Sequence, residues 1–409
     1  MNVHARSVST DVVVIGAGAA GLAAARTLHG RGIDTLLLEA RDRVGGRAYT
    51  LRTQDGAFPV ELGAEFIHGS AEATMALLRE CGERTLELPD DGVPGVWEAT
   101  QRVLDSVDLH GADTSVDSLL KSARAEDAAQ ARMLIEGFDA AITADTSMLS
   151  IAKEWRGDGN DTRFRPADGY GVLMQYLAEF VKDRLWCNTP VHEIRWSDQG
   201  VEVDVVRDGA PIMVRARTAI VTLPIGLLHE ESVRFSPPLP AEKRAAVEAI
   251  GMGPVIKVVL EFRSVFWKDS FLLTSPGSAF PTVWSRLPQP APVLVAWAGG
   301  DAAVRLRERR IDPESAALDA CARLFPKIDI HAQLVRTHYH DWQNDLYAGG
   351  AYSYLRVNGA DARARLAQPI GQSIHFAGEA TCASDAGTVA GAFESGYRAA
   401  TQVLEHSGR

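Results

Sequence analysis

Asp11-Val12-Val13-Val14-Ile15-Gly16-Ala17-Gly18-Ala19-Ala20-Gly21-Leu22-Ala23-Ala24-Ala25-Arg26-Thr27-Leu28 decides the fold: an apolar run passes through a glycine-rich turn into a helix-favouring, alanine-rich segment. The order is strand, tight turn, helix. Gly16 permits the turn, Gly18 lets the backbone approach a pyrophosphate at the helix N-terminus, and Gly21 lets helix and strand pack closely. A second apolar run, Asp34-Thr35-Leu36-Leu37-Leu38, ends in Glu39, where a carboxylate accepts hydrogen bonds from ribose hydroxyls. This is the spacing of a dinucleotide-binding fingerprint. It does not separate a nicotinamide from a flavin dinucleotide.

The 409 residues suggest two domains with ample core. The fractions, 46% hydrophobic and 23% charged, are those of a soluble globular protein. No apolar run reaches the roughly 20 residues that span a bilayer, and Met1 to Thr10 has no signal-peptide core, so a cytoplasmic protein is expected. Cys81, Cys187, Cys321 and Cys382 lack metal or redox spacing. The formal charge of −11 speaks against a nucleic-acid partner and mildly favours cations.

Glu39-Ala40-Arg41-Asp42-Arg43-Val44-Gly45-Gly46-Arg47 resembles the segment with which flavin-containing amine oxidases hold FAD. The resemblance extends over nearly the whole chain through five motifs in family order. Val60-Glu61-Leu62-Gly63-Ala64-Glu65-Phe66-Ile67-His68 looks like the flavin-side loop of polyamine and spermine oxidases, with His68 facing the substrate. Val255-Ile256-Lys257-Val258-Val259-Leu260-Glu261-Phe262 is a β-rich run in which the lysine, on its own, reads as an edge-strand residue turned to water. The resemblance implies instead that Lys257 binds a water hydrogen-bonded to flavin N5. Trp342 and Tyr352 match residues that line the flavin and the substrate amine. Ala351 matches the position of the cysteine that links flavin in mammalian monoamine oxidases, so non-covalent FAD is expected. Thr388 stands where monoamine oxidases place a cage tyrosine, as in the histone-demethylase and some polyamine-oxidase branches.

The resemblance thus implies an α/β fold: a Rossmann-like, p-hydroxybenzoate-hydroxylase-like FAD domain from 1–72, 184–240 and 350–409, with an inserted α+β substrate domain from 73–183 and 241–349. Residues 71–184 read as helices, including 71–81 and 125–144, punctuated at 89–95 and 157–160. The expected FAD contacts are Gly16, Gly18, Ala19, Ala20, Gly21, Glu39, Ala40, Arg41, Gly46, Arg47 (diphosphate side), Gly63, Ala64, Glu65, Val191 (adenine), Gly378, Glu379 (ribityl side), Thr388 and Val389. The expected catalytic set is Lys257, His68, Trp342, Tyr352 and Thr388, with no metal. Partners are a small amine, a polyamine or another aliphatic amine, and O2; Glu61 or Glu65 is available for a distal ammonium. The alternatives are an L-amino-acid oxidase, a desaturase-type FAD oxidoreductase, and a flavin scaffold without turnover.

Overall fold

The computed structural model describes residues 6–406 apart from 90–94, 157–161, 268–270 and 276. The punctuation expected at 157–160, and most of that at 89–95, lies outside the described residues. The apolar run forms strand β1 (Arg6–Ile15), followed by helix α1 (Ala19–Gly30) and strand β2 (Thr35–Leu38). β1 pairs in parallel with β2 on one side and with the strand Ala210–Val221 on the other. The full sheet has eight strands, in the order Arg234–Ser236, Val191–Ser197, Gly200–Arg207, Ala210–Val221, β1, β2, Leu185–Trp186, with Ile374–Phe376 also pairing Ala210–Val221. That strand has room for two partners on one edge: Gly200–Arg207 pairs its first seven residues antiparallel, and Ile374–Phe376 its last three in parallel.

Continuous apolar runs suit strands buried on both faces, and β2 is buried throughout. On one face α1 packs against the last helix, Val389–His406, through small residues: a side chain on Gly396 would meet the carbonyl of Ala20 at 2.3 Å. Gly16 has φ +102°, and a Cβ on Gly21 would lie 1.8 Å from the carbonyl oxygen of Gly16. The third glycine of the fingerprint is therefore fixed by the chain's own packing.

A second, antiparallel sheet has the order Leu272–Thr274, Thr282–Ser285, Val293–Gly299, Val255–Phe262, Leu334–Asp341. Val255–Phe262 is internal and buried at every position, which corrects the edge-strand reading of Lys257. Alternation then sorts its residues. Ile256, Val258, Leu260 and Phe262 pack into the cluster shared with helices Asp301–Glu308 and Pro313–Leu324, while Val259 packs on the other face with Val60, Leu62 and Trp284. Lys257 shares the Val259 face.

Helices Val96–Asp105, Val116–Ser122, Ala125–Phe138 and Met148–Trp155 form a third cluster around Leu104, Ile135 and Ile151. The helix expected over 125–144 stops at Phe138, because Ala140 takes φ +49°. Among the described residues no helix is long and apolar enough to cross a membrane.

Gly21→Ala is expected to lower unfolding free energy by about 2 kcal/mol or more, the cost of forcing a methyl into a filled contact. Gly30→Ala, where a Cβ meets nothing within 4 Å, serves as the control. Equal thermal and denaturant stability of the two variants would contradict the packing role of Gly21.

Candidate active site

The parallel strands end together. Ile15-Gly16, Leu38-Glu39, Thr222 and Gly378 follow the carboxyl ends of four neighbouring strands, and all border one continuous cavity of about 2060 Å³. Open α/β sheets bind ligands at this edge. Every residue expected from the sequence to contact FAD borders the cavity except Gly21, which serves packing.

At the α1 end, Glu39 is buried and its two carboxylate oxygens accept the backbone N–H groups of Ala17 (2.7 Å) and Arg41 (2.9 Å). Burial raises its carboxyl. The acid thereby fixes the glycine loop against the end of β2. Arg41 is ion-paired with Asp345, which also accepts from His340 at 2.8 Å. Against the opposing effect of burial, these contacts hold Asp345 below the ordinary carboxylate range. A Cβ on Gly18 would meet nothing nearer than the carbonyl of Gly45 at 3.9 Å. The chain's own packing does not demand that glycine, whereas close approach of a pyrophosphate to the α1 N-terminus does. The site fits a dinucleotide.

Further along, Arg47 Nη1 donates to the Ala351 carbonyl (2.7 Å) and to Glu379 (2.8 Å). Glu379 also accepts from the Ser353 hydroxyl (2.6 Å) and the Gly387 N–H (3.0 Å), and Arg363 donates to the same Ser353 hydroxyl. Burial would raise the Glu379 carboxyl, but Arg47 and Arg363 prevail and lower it. Thr388 caps the last helix: its hydroxyl accepts the Gly391 N–H (3.0 Å) and donates to the Asp385 carbonyl (2.7 Å).

The remaining groups converge from the antiparallel sheet and from short strands and loops beside it. Lys257 is 1% exposed and donates to Glu65 (2.8 Å) and to the Gly63 carbonyl (3.1 Å), with its ammonium 5.3 Å from the Trp284 ring centre. Glu65 also accepts the indole N–H of Trp284 (3.1 Å), and Arg165 lies 3.1 Å from its other oxygen. Burial alone would raise Glu65; Lys257 and Arg165 reverse this and keep it ionised. Trp342 donates its indole N–H to the Leu62 carbonyl (2.9 Å). The Tyr352 hydroxyl donates to the Phe138 carbonyl (2.6 Å), and its ring stacks on Trp297 at 6.5 Å. His68 stands edge-on to Phe66 and Phe138, and burial holds its imidazole down at about 4, so it is neutral.

Glu61, in contrast, does not border the cavity. Its oxygens accept the Thr50 hydroxyl (2.7 Å) and the Tyr170 N–H (2.6 Å), so its availability for a distal ammonium is corrected. Glu65 borders the cavity but is saturated by its own partners. Sequence reasoning missed Asp139, Glu154, Arg165, Trp284 and Arg363. Asp139 and Glu154 carry no motif, and each sits beside an aromatic residue at a helix end; that pairing with Phe138 and Trp155 is the one signal available beforehand.

The family model described as flavin containing amine oxidoreductase matches residues 19–111 and 98–404. Lysine-specific histone demethylase 1 homolog 2 of Arabidopsis thaliana is 30% identical over 445 residues, covering 96% of this chain and 58% of its own length. Polyamine oxidase 4 of Oryza sativa subsp. japonica is 28% identical, covering 96% of this chain and 88% of its own. The chain spans between about a third and three fifths of the length of the histone demethylase homologues it matches. A putrescine oxidase structure with bound putrescine superposes with a TM-score of 0.83 at 23% identity, over 98% of this chain and 100% of that one.

Burial raises the Glu61 carboxyl from 4.5 to about 7. The folded protein thus holds a proton there that the unfolded chain releases, and this group's contribution to stability falls as pH rises through that window and is level above it. Glu61→Gln removes the dependence, so the stability difference between variant and parent is expected to shift in the variant's favour between about pH 5 and about pH 8. Urea unfolding at both pH values measures it, and a pH-independent difference would contradict the assignment. The fold, the dinucleotide cradle and the match over most of the sequence lead to one statement: the chain belongs to the flavin-containing amine oxidoreductase family.

Proposed function

We propose that the protein is an amine oxidase with non-covalently bound FAD and a polyamine or other aliphatic amine as substrate. The observation that carries this reading is the cavity itself: one space runs from the α1 N-terminus to Lys257, Trp342, Tyr352 and His68. FAD would be held by the Gly16–Ala20 loop, Glu39, Arg47, Gly63-Ala64, Val191 and Glu379, by the unit formed from 1–72, 184–240 and 350–409. Ala351 offers no thiol for a covalent link. When bound, the flavin accepts a hydride from the carbon next to the amine nitrogen and passes the electrons to O2, giving hydrogen peroxide.

The chain's own residues supply the conditions. Hydride removal needs the neutral amine, because an ammonium would become a dication; a wall of Trp342, Tyr352, Trp297 and His68 disfavours the charged form by desolvation. Tyr352 is not a base, since burial pushes its hydroxyl well above its ordinary value and its proton is committed to the Phe138 carbonyl. Tyr352 and Trp342 therefore orient the substrate. The neutral His68 does not repel an incoming cation. The imine product is hydrolysed to a carbonyl compound and an amine. We place the enzyme in the cytoplasm.

Steady-state peroxide production tests the substrate class with spermidine, putrescine, butylamine, benzylamine, an N-methyl-lysine peptide and L-amino acids. Aliphatic di- and polyamines are expected to lead. Turnover confined to L-amino acids would move the assignment to an L-amino-acid oxidase, with cavity-lining Arg163 as its carboxylate site.

Lys257 is assigned to the oxygen half of the cycle, as a cation fixed at the flavin-side loop. Lys257→Met is expected to slow reoxidation of the reduced protein by O2 about tenfold or more while flavin stays bound. Unchanged reoxidation would remove Lys257 from that role.

A further inference from the structure

Two further carboxylates border the cavity. Asp139 follows the helix Ala125–Phe138, and Glu154 lies near the end of the helix Met148–Trp155; both border the cavity. Asp139 is buried, 8% exposed, and accepts one hydrogen bond, from the indole N–H of Trp155 at 3.3 Å. Glu154 keeps an open face on the cavity. Neither is ion-paired among the described residues. This differs from Glu61 and Glu65, whose oxygens are all engaged.

Apolar ring faces surround the pair. Trp97 and Trp155 lie 4.7 Å apart, Phe138 and Trp155 5.6 Å, and all three border the cavity. Trp97 and Phe138 leave 41% and 42% of their surface uncovered. Carboxylates flanked by open aromatic faces suit an alkylammonium group, which gains ion pairing and cation–π attraction together. The site also sits against the reacting end: Tyr352 bonds the carbonyl of Phe138, the residue before Asp139, and Trp297 donates to the Gly137 carbonyl at 2.7 Å.

We propose that Asp139 and Glu154, with the ring faces of Trp97, Phe138 and Trp155, bind a second, non-reacting ammonium group of the substrate, so that a diamine or polyamine is preferred over a monoamine. The inference rests on the amine-oxidase reading for the identity of the reacting nitrogen. Because that nitrogen must be neutral, an ammonium held by carboxylates belongs to the other one. Burial and the neighbouring Glu154 charge raise the Asp139 carboxyl, and desolvation raises that of Glu154 against the opposing charge of Arg363, a penalty that a bound cation relieves.

The test uses the flavin-loaded protein and the variant Asp139→Asn/Glu154→Gln. Calorimetric binding of pentyltrimethylammonium, a cation that cannot become a neutral amine, reads the subsite without turnover. Anaerobic reduction by putrescine and by butylamine gives the preference for a second nitrogen. Both the affinity for the quaternary ion and the putrescine-to-butylamine ratio are expected to fall about tenfold or more in the variant. Unchanged affinity and ratio would overturn the proposal. If the quaternary ion binds in a carboxylate-dependent way but no amine reduces the flavin, the subsite stands and the amine-oxidase reading fails. Should the double variant not fold, Glu154→Gln alone decides, since the Glu154 carboxylate makes no hydrogen bond among the described residues; a fall of about threefold supports the proposal and none overturns it.

Discussion

A carboxylate removed from water has to be surrounded by donors, and Glu65 is the point where this requirement ties the molecule together. Its partners come from three other places in the chain: Lys257 in an internal strand of the antiparallel sheet, Trp284 in the strand Thr282–Ser285 two places away in that sheet, and Arg165 in the strand Arg163–Pro166. Arg165 is fully buried between Phe66 and Phe271. Removing one partner of such a cluster leaves a buried charge uncompensated, which costs about 3–5 kcal/mol. The arrangement holds the Gly63-Ala64 backbone, itself bonded to Lys257 and to Arg47, at the cavity wall.

A second consequence concerns the far wall. Tyr352 and Trp297 anchor the end of the helix Ala125–Phe138 through the carbonyls of Phe138 and Gly137. The aromatic groups near the reacting centre therefore also position Asp139. One set of hydrogen bonds thus joins the aromatic wall of the cavity to the carboxylate that follows this helix.

Much of the fold was legible because its signals are local. Strand, turn, helix and acid between Asp11 and Glu39 appear as read, and the glycine at position 21 is explained by a contact with position 16. The run 255–262 is also legible as a strand, but whether Lys257 faces water or core depends on a distant neighbour, His340 in the strand Leu334–Asp341. Glu61 and Glu65 look equivalent in sequence; only the Thr50 hydroxyl and the Tyr170 amide, brought in by tertiary packing, take Glu61 out of the cavity. Asp139 and Glu154 were illegible for the same reason. They lie at the ends of two helices of ordinary composition, and no periodicity states that those ends meet inside a cavity. Similarly, Thr388 is identified by position, yet its hydroxyl is spent on capping a helix.

In the function proposed above, this cavity brings an amine to a flavin. The most direct measurement is anaerobic mixing of the purified yellow protein with a slight excess of an aliphatic diamine, following the flavin absorbance. The account predicts complete bleaching without oxygen and one carbonyl product formed per flavin reduced. A flavin that stays oxidised with every amine, yet is bleached by a chemical reductant, would contradict it.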